Sequence, residues 1–263
     1  MSAPLLEVDG LVRRFGGVVA ADQLGFAVAD GELLGLIGPN GAGKTTVLRL
    51  IAGLLAPERG RIAFRGADLT GQPTHKRVRA GLGLTHQIVR PFRGLSVLEN
   101  VMIAAGRRHT ASPWTAVTRL SRAAERRQAQ ALLARLGLAA LADQRPAALP
   151  LGARKRLELA RVLALEPRLL LLDEPMAGLN SGEAAALGDV IVALNRDGIT
   201  IVLVEHNLGE VMRIARRLLV LDAGRAIADG APDEVMRLPE VREAYVGPGA
   251  AGGVSPRERH QDP

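Results

Sequence analysis

A chain of 263 residues with 48% hydrophobic side chains has enough apolar material for one packed domain with a modest insertion, and too much for a disordered chain. It has no cysteine, which excludes a disulfide framework and a thiolate metal site and suits a reducing compartment. The net charge of +7 suits an anionic partner or lipid surface, but one Trp, one Tyr and four Phe leave little for stacking bases, so no nucleic-acid partner is expected.

The start, Met1-Ser2-Ala3-Pro4-Leu5, has no charged segment followed by a long apolar one, so no signal peptide is expected. Leu5–Leu11 and Phe26–Val28 read as short strands. Leu33-Leu34-Gly35-Leu36-Ile37 is continuously apolar and reads as a strand buried on both faces, hence parallel. After a Gly-rich loop, Lys44 to Leu54 reads as a helix closed by Gly53 and Pro57. Arg61–Phe64 and Gly83–Thr85 are further strands. From Val97 to about Arg135 good helix formers dominate, interrupted near Ser112-Pro113-Trp114. Leu169–Leu172 and Thr200–Val204 are buried strands, with a helix at about Gly182–Asn195 between them. The end, Pro248–Pro263, is rich in Gly, Pro and charge and is expected to be a disordered tail. No apolar run approaches the roughly 20 residues that span a bilayer. Strands alternating with helices predict an α/β fold with a mainly parallel sheet in three layers.

Gly38-Pro39-Asn40-Gly41-Ala42-Gly43-Lys44-Thr45 fits the phosphate-binding pattern GxxxxGK[ST] and sits between a buried strand and a helix, as that pattern requires. Glycines let backbone N–H groups curl around phosphate oxygens, and the helix turns its positive end to them. Lys44 is placed to reach the β- and γ-phosphates, and the Thr45 hydroxyl to ligate Mg²⁺. The candidate nucleotide-binding set therefore runs through Gly38, Pro39, Asn40, Gly41, Ala42, Gly43, Lys44, Thr45 and Thr46. Leu169-Leu170-Leu171-Leu172-Asp173-Glu174 has the form of a Walker B strand, an apolar run ending in two acids at its C-terminal edge. Asp173 suits Mg²⁺, a hard cation, and Glu174 is then left to polarise an attacking water.

With these motifs in place the chain resembles the ABC ATPase family over roughly residues 5–247. Thr85-His86-Gln87 falls where that family has its Q-loop, Ala177-Gly178-Leu179-Asn180 where it has its D-loop, and Val204-Glu205-His206 where it has its switch histidine. The resemblance implies that Gln87 contacts Mg²⁺ and relays its occupancy to a membrane partner, that His206 touches the γ-phosphate, and that Phe15, in Arg13-Arg14-Phe15-Gly16-Gly17, stacks on adenine. Arg14–Gly17, Arg90–Val101, Asp173–Asn180 and the close Leu238–Gly247 look like the ATPases of branched-chain amino-acid importers, and the long helical insertion resembles the larger of the two ATPase subunits those importers use. Urea and amide importers share much of this. At the family's signature segment, usually Leu-Ser-Gly-Gly-Gln, this chain has Leu149-Pro150-Leu151-Gly152-Ala153 before a basic helix, Arg154–Arg161. Pro150 offers neither a hydroxyl nor a backbone donor.

The resemblance implies a P-loop NTPase domain over 1–247, with an N-terminal antiparallel β portion and a helical subdomain inserted at about 96–160. It further implies ATP and Mg²⁺ as ligands, and a second ATPase subunit, like or unlike, paired head to tail. Its other implied partners are membrane permease subunits and, indirectly, a solute-binding protein. The expected location is the cytoplasmic face of a bacterial inner membrane, held peripherally. The alternatives are the ATPase of a related urea or amide importer or of an exporter, a nucleotide-binding regulatory subunit with weak hydrolysis, and a soluble ABC-type ATPase acting on nucleic acid or ribosomes.

Overall fold

The computed structural model describes residues 3–85, 91–106 and 122–246. In chain order the first elements are β1 (Leu6–Phe15), β2 (Val18–Val28), β3 (Leu33–Ile37), α1 (Lys44–Ile51), β4 (Arg59–Phe64) and β5 (Ala67–Asp68). Then come α2 (Thr74–Ala80), β6 (Leu82–Leu84), α3 (Val97–Gly106), α4 (Ala123–Arg135), α5 (Leu151–Leu163) and β7 (Leu169–Asp173). The chain continues through α6 (Ser181–Arg196), β8 (Thr200–Val204), α7 (Leu208–Ile214), β9 (Arg217–Asp222), β10 (Arg225–Gly230), α8 (Pro232–Val235) and α9 (Pro239–Val246).

Two sheets organise these elements. The smaller is antiparallel, in the order β2-β1-β4-β5; the larger is ordered β10-β9-β3-β8-β7-β6 and is parallel except for β10 at its edge. Every residue of β3, β7 and β8 is buried. Successive side chains of a strand point to opposite faces. Leu170, Leu172, Ile201, Leu203, Leu218 and Val220 accordingly pack on the helices of one face, α3 to α7. Their neighbours Leu169, Leu171, Val202, Val204, Leu219 and Leu221 pack on α1 and the antiparallel sheet. The unbroken apolar runs of the sequence are therefore two alternating sets, each with its own core.

The expected three layers and N-terminal antiparallel portion are present, and α3, α4 and α5 lie together between β6 and β7. Several boundaries move. β1 runs on to Phe15 instead of ending at Leu11, through register shifts between Val8 and Arg14. β2 begins at Val18 instead of Phe26, because Gly16 and Gly17 turn β1 back on itself and the tertiary pairing overrides the weak strand propensity of Ala-Ala-Asp-Gln. α1 stops at Ile51 with Gly53 in the left-handed region just beyond. The basic helix predicted from Arg154 starts three residues earlier, with Pro150 as its N-cap. The interruption at Ser112–Trp114 and the tail Pro248–Pro263 lie outside the described residues. Among the described residues no helix is long and apolar enough to cross a membrane.

Candidate nucleotide-binding and hydrolytic site

β3 lies in the middle of the large sheet, and its C-terminal end carries the loop Gly38–Gly43. Gly38 has φ +147° and Gly43 φ +102°, and a Cβ at either would stand 2.0 Å from a backbone carbonyl, of Leu221 and Ala20 respectively. The loop therefore packs against the strands beneath it as only glycine allows, and the chain enters α1 at once. Gly43 is the N-cap and supplies no side-chain acceptor, so the first amides of α1 are directed to whatever occupies the loop. The Lys44 ammonium turns back over the loop and donates to the Gly38 carbonyl at 2.7 Å and the Pro39 carbonyl at 2.9 Å. Burial lowers its pKa, and the charges of Glu174 and Asp173 partly restore it.

Parallel strands deliver the other groups to the same edge. Asp173 ends β7, and its Oδ1 accepts the Thr45 hydroxyl at 3.0 Å. These are hard oxygen donors from two different elements. Among the described residues no cluster of three or more His, Cys, Asp and Glu stands ready for a metal. A cation held by Thr45 and Asp173 must complete its shell with phosphate oxygens and water, which fits Mg²⁺. Glu174, the next residue, has φ +50°, outside the ordinary range for a side-chain-bearing residue. Its N–H donates to the Val204 carbonyl at 2.9 Å, its carbonyl accepts the Ala177 N–H at 3.2 Å, and its Oε1 stands 2.5 Å from His206 Nε2. Val204 ends β8, the strand that leads into His206.

Phe15 lines the same cavity, of about 300 Å³, with Asn40, Lys44, Thr46, Glu174 and His206. Its ring is 43% exposed. The predicted site residues with described coordinates are thus at this edge of the sheet or in the loop above it, except Phe15, which reaches the cavity from the end of β1 in the antiparallel sheet. Gln87 lies outside the described residues.

Sequence reading passed over two buried charges here. Glu205 is buried, its pKa raised by desolvation, yet it accepts the Met176 N–H at 2.6 Å and the His206 N–H at 3.2 Å. It clips the turn after Glu174 to the loop that carries His206. Lys155, on α5, donates its ammonium to the Glu174 carbonyl at 3.2 Å. Glu205 had a signal, an acid beside a predicted switch histidine; Lys155 had none, because its carbonyl partner is contributed by a distant segment.

The signature segment and D-loop meet elsewhere. Leu151 approaches Gly178, and Gly152 approaches Glu183. Asn180 and Glu183 close a reciprocal cap at the start of α6, at 2.9 and 3.3 Å. Gly152, Arg156, Asn180 and Glu183 line a separate cavity of about 430 Å³, which shares no lining residue with the cavity at Lys44.

A sequence profile described as ABC transporter matches residues 21–177. The chain is 39% identical over 254 residues, 94% of its own length and 99% of the relative's, to the high-affinity branched-chain amino acid transport ATP-binding protein LivG of Salmonella typhimurium. It is 37% identical to the lipopolysaccharide export system ATP-binding protein LptB of Acidithiobacillus ferridurans, over 92% of this chain and 97% of that one. Among solved structures it resembles MJ1267, an ATP-binding cassette of an ABC transporter, with TM-score 0.82 and 29% identity over 94% of this chain and all of the other.

Proposed function

Because the chain belongs to the ABC transporter family as an ATPase, we propose that it powers a membrane importer for branched-chain amino acids, and that hydrolysis runs on Lys44, Thr45, Asp173, Glu174 and His206. One observation carries the site assignment: three separate elements, α1, β7 and the end of β8, bring these five residues to one edge of the sheet.

The loop amides and Lys44 cradle the β- and γ-phosphates, exchanging the ammonium's contacts to Gly38 and Pro39 for phosphate oxygens. Phosphate charge also offsets the burial that lowers the Lys44 pKa. Thr45 and Asp173 would hold Mg²⁺, which would supply neutralisation of phosphate charge. Glu174 accepts a hydrogen bond from the attacking water and orients its lone pair at the γ-phosphorus. A bond forms from water oxygen to phosphorus, the bond to the bridging oxygen breaks, the water proton passes by way of Glu174 to the phosphate product, and ADP and phosphate leave. His206 touches the γ-phosphate, and Glu205 fixes the loop it stands on. Gln87 takes the relay role implied by its place in the sequence, and Phe15 stacks on the base.

The cavity at Gly152 has no P-loop of its own, which supports pairing with a second ATPase subunit. Each nucleotide then lies between one subunit's P-loop and the other's signature segment. A groove of about 540 Å³ between β6, α3 and α5 exposes Phe92 and Ile103; we assign it to the permease, which places the chain peripherally at the cytoplasmic face of the membrane. A solute-binding protein would engage the permease from the other side.

Identity to LivG over nearly the whole length supports the amino-acid substrate. The similarity to LptB supports export as a second reading. Deleting the gene and restoring it with the parent or Lys44→Ala separates them. The importer reading requires uptake of labelled leucine to be lost on deletion, restored by the parent and not by Lys44→Ala. Unchanged leucine uptake on deletion would remove that reading.

A further inference from the structure

We propose that Lys155 is a positioning residue for hydrolysis: from the helix behind the signature segment, it holds the backbone of Glu174 and so sets where the Glu174 carboxylate stands. The inference rests on the ATPase reading above and adds to it a part for a residue outside the nucleotide cavity.

Glu174 keeps a left-handed backbone without being glycine, and such a conformation persists only where the surroundings over-determine it. Its N–H is held by the Val204 carbonyl and its C=O by the Ala177 N–H. Both partners belong to the sheet and the turn that carry the site. A further hold is the Lys155 ammonium, 3.2 Å from the same carbonyl oxygen. Lys155 is 7% exposed, and a buried ammonium is tolerated only where its donors are used. Rotation of the Glu174 peptide would swing its side chain away from His206, 2.5 Å off. The fifth residue of α5 therefore bears on the hydrolytic acid, while Gly152, one turn earlier on the same helix, lines the cavity at the signature segment. The hydrogen bond from Lys155 thus links α5 to the backbone of Glu174.

The competing account is packing. Lys155 lines a small crevice together with Leu159, Leu172 and Leu187, and a purely structural residue would need only its apolar stem. Two variants of the full-length chain separate these. Lys155→Met keeps the length and apolar bulk and removes every donor. Lys155→Arg keeps the charge and the donors. The readouts are kcat and KM for ATP, equilibrium ATP affinity, and melting temperature.

Positioning predicts that kcat falls about 10- to 100-fold in Lys155→Met, the scale of a small misplacement of a reacting group. ATP affinity and KM should stay within about twofold, because the phosphate cradle is untouched. Lys155→Arg should recover most of the lost kcat. A folded Lys155→Met with kcat within about twofold of the parent overturns the proposal while leaving the ATPase reading intact. So does a Lys155→Met that loses melting temperature and ATP affinity in step with activity, or fails to fold, since each makes the residue structural. A parent chain without ATP hydrolysis would overturn the ATPase reading, and this proposal with it.

Discussion

Phe15 stands at the mouth of the nucleotide cavity, and the Arg13 guanidinium carbon lies 4.8 Å from its ring centre. A cation over one face of an aromatic ring leaves the other face for a base, and both contacts draw on the same π-system. Phe15→Ala should therefore weaken ATP binding by about 1–3 kcal/mol, the range for base–aromatic stacking, with little change in the preference for ATP over GTP. Titration calorimetry with both nucleotides checks this; an unchanged ATP affinity would return Phe15 to the role of a β1 hairpin residue. At this scale the sequence was informative wherever chemistry requires a residue type at a fixed spacing. Lys44, Thr45, Asp173 and Glu174 could be named because a P-loop and an acid pair at a strand end are local patterns. Glu205 was marked only by standing next to His206, and Lys155 not at all, because no local pattern marks a residue whose partner is a carbonyl of a distant segment.

Among the elements, α1 shows most plainly how far a site depends on its supports. The helix that starts at Lys44 is only eight residues long, too short to be stable without tertiary help. Its N-terminus is left open for phosphate, so its other end must be secured. Arg77 of α2, 1% exposed, does this: its guanidinium donates to the Leu50 and Ile51 carbonyls, and also to those of Thr70 and Gln72, each at 2.8 Å. Burial lowers the Arg77 pKa, a cost met by four carbonyls and the negative end of the helix. Arg77→Met should reduce stability by about 3 kcal/mol or more, since charged hydrogen bonds are lost and buried carbonyls are left unpaired. Chemical denaturation checks this, and a change below about 1 kcal/mol would show that the carbonyls find other partners. The buried strands β3, β7 and β8 were legible because burial on both faces writes an unbroken apolar run. The first part of β2, and β9 and β10, were not read as strands. β2 has a polar, small-residue stretch held in place by its partner strand, and β10 is an exposed edge with one antiparallel neighbour.

For the whole molecule, the Gly152 cavity is separate from the P-loop cavity. In the pairing proposed above, the altered signature would act on the partner's nucleotide and not on this chain's own. Pro150 caps α5 with an extended backbone, and Leu151 begins the helix and reaches Gly178 of the D-loop. The serine hydroxyl usual at position 150 is missing, but the helix start that presents the Gly152 amide is intact. In that pairing, hydrolysis driven from this chain's P-loop would depend on its own Glu174 and on the partner's signature. The claim at the centre of this account is that Glu174 activates water in a cradle that binds ATP without it. The decisive measurement compares ATP affinity and turnover in the parent and in Glu174→Gln, which keeps the shape and removes the charge. The account predicts turnover lower by about two orders of magnitude or more with ATP affinity within about twofold. Turnover equal to the parent's, or a matching collapse of ATP affinity, would contradict it.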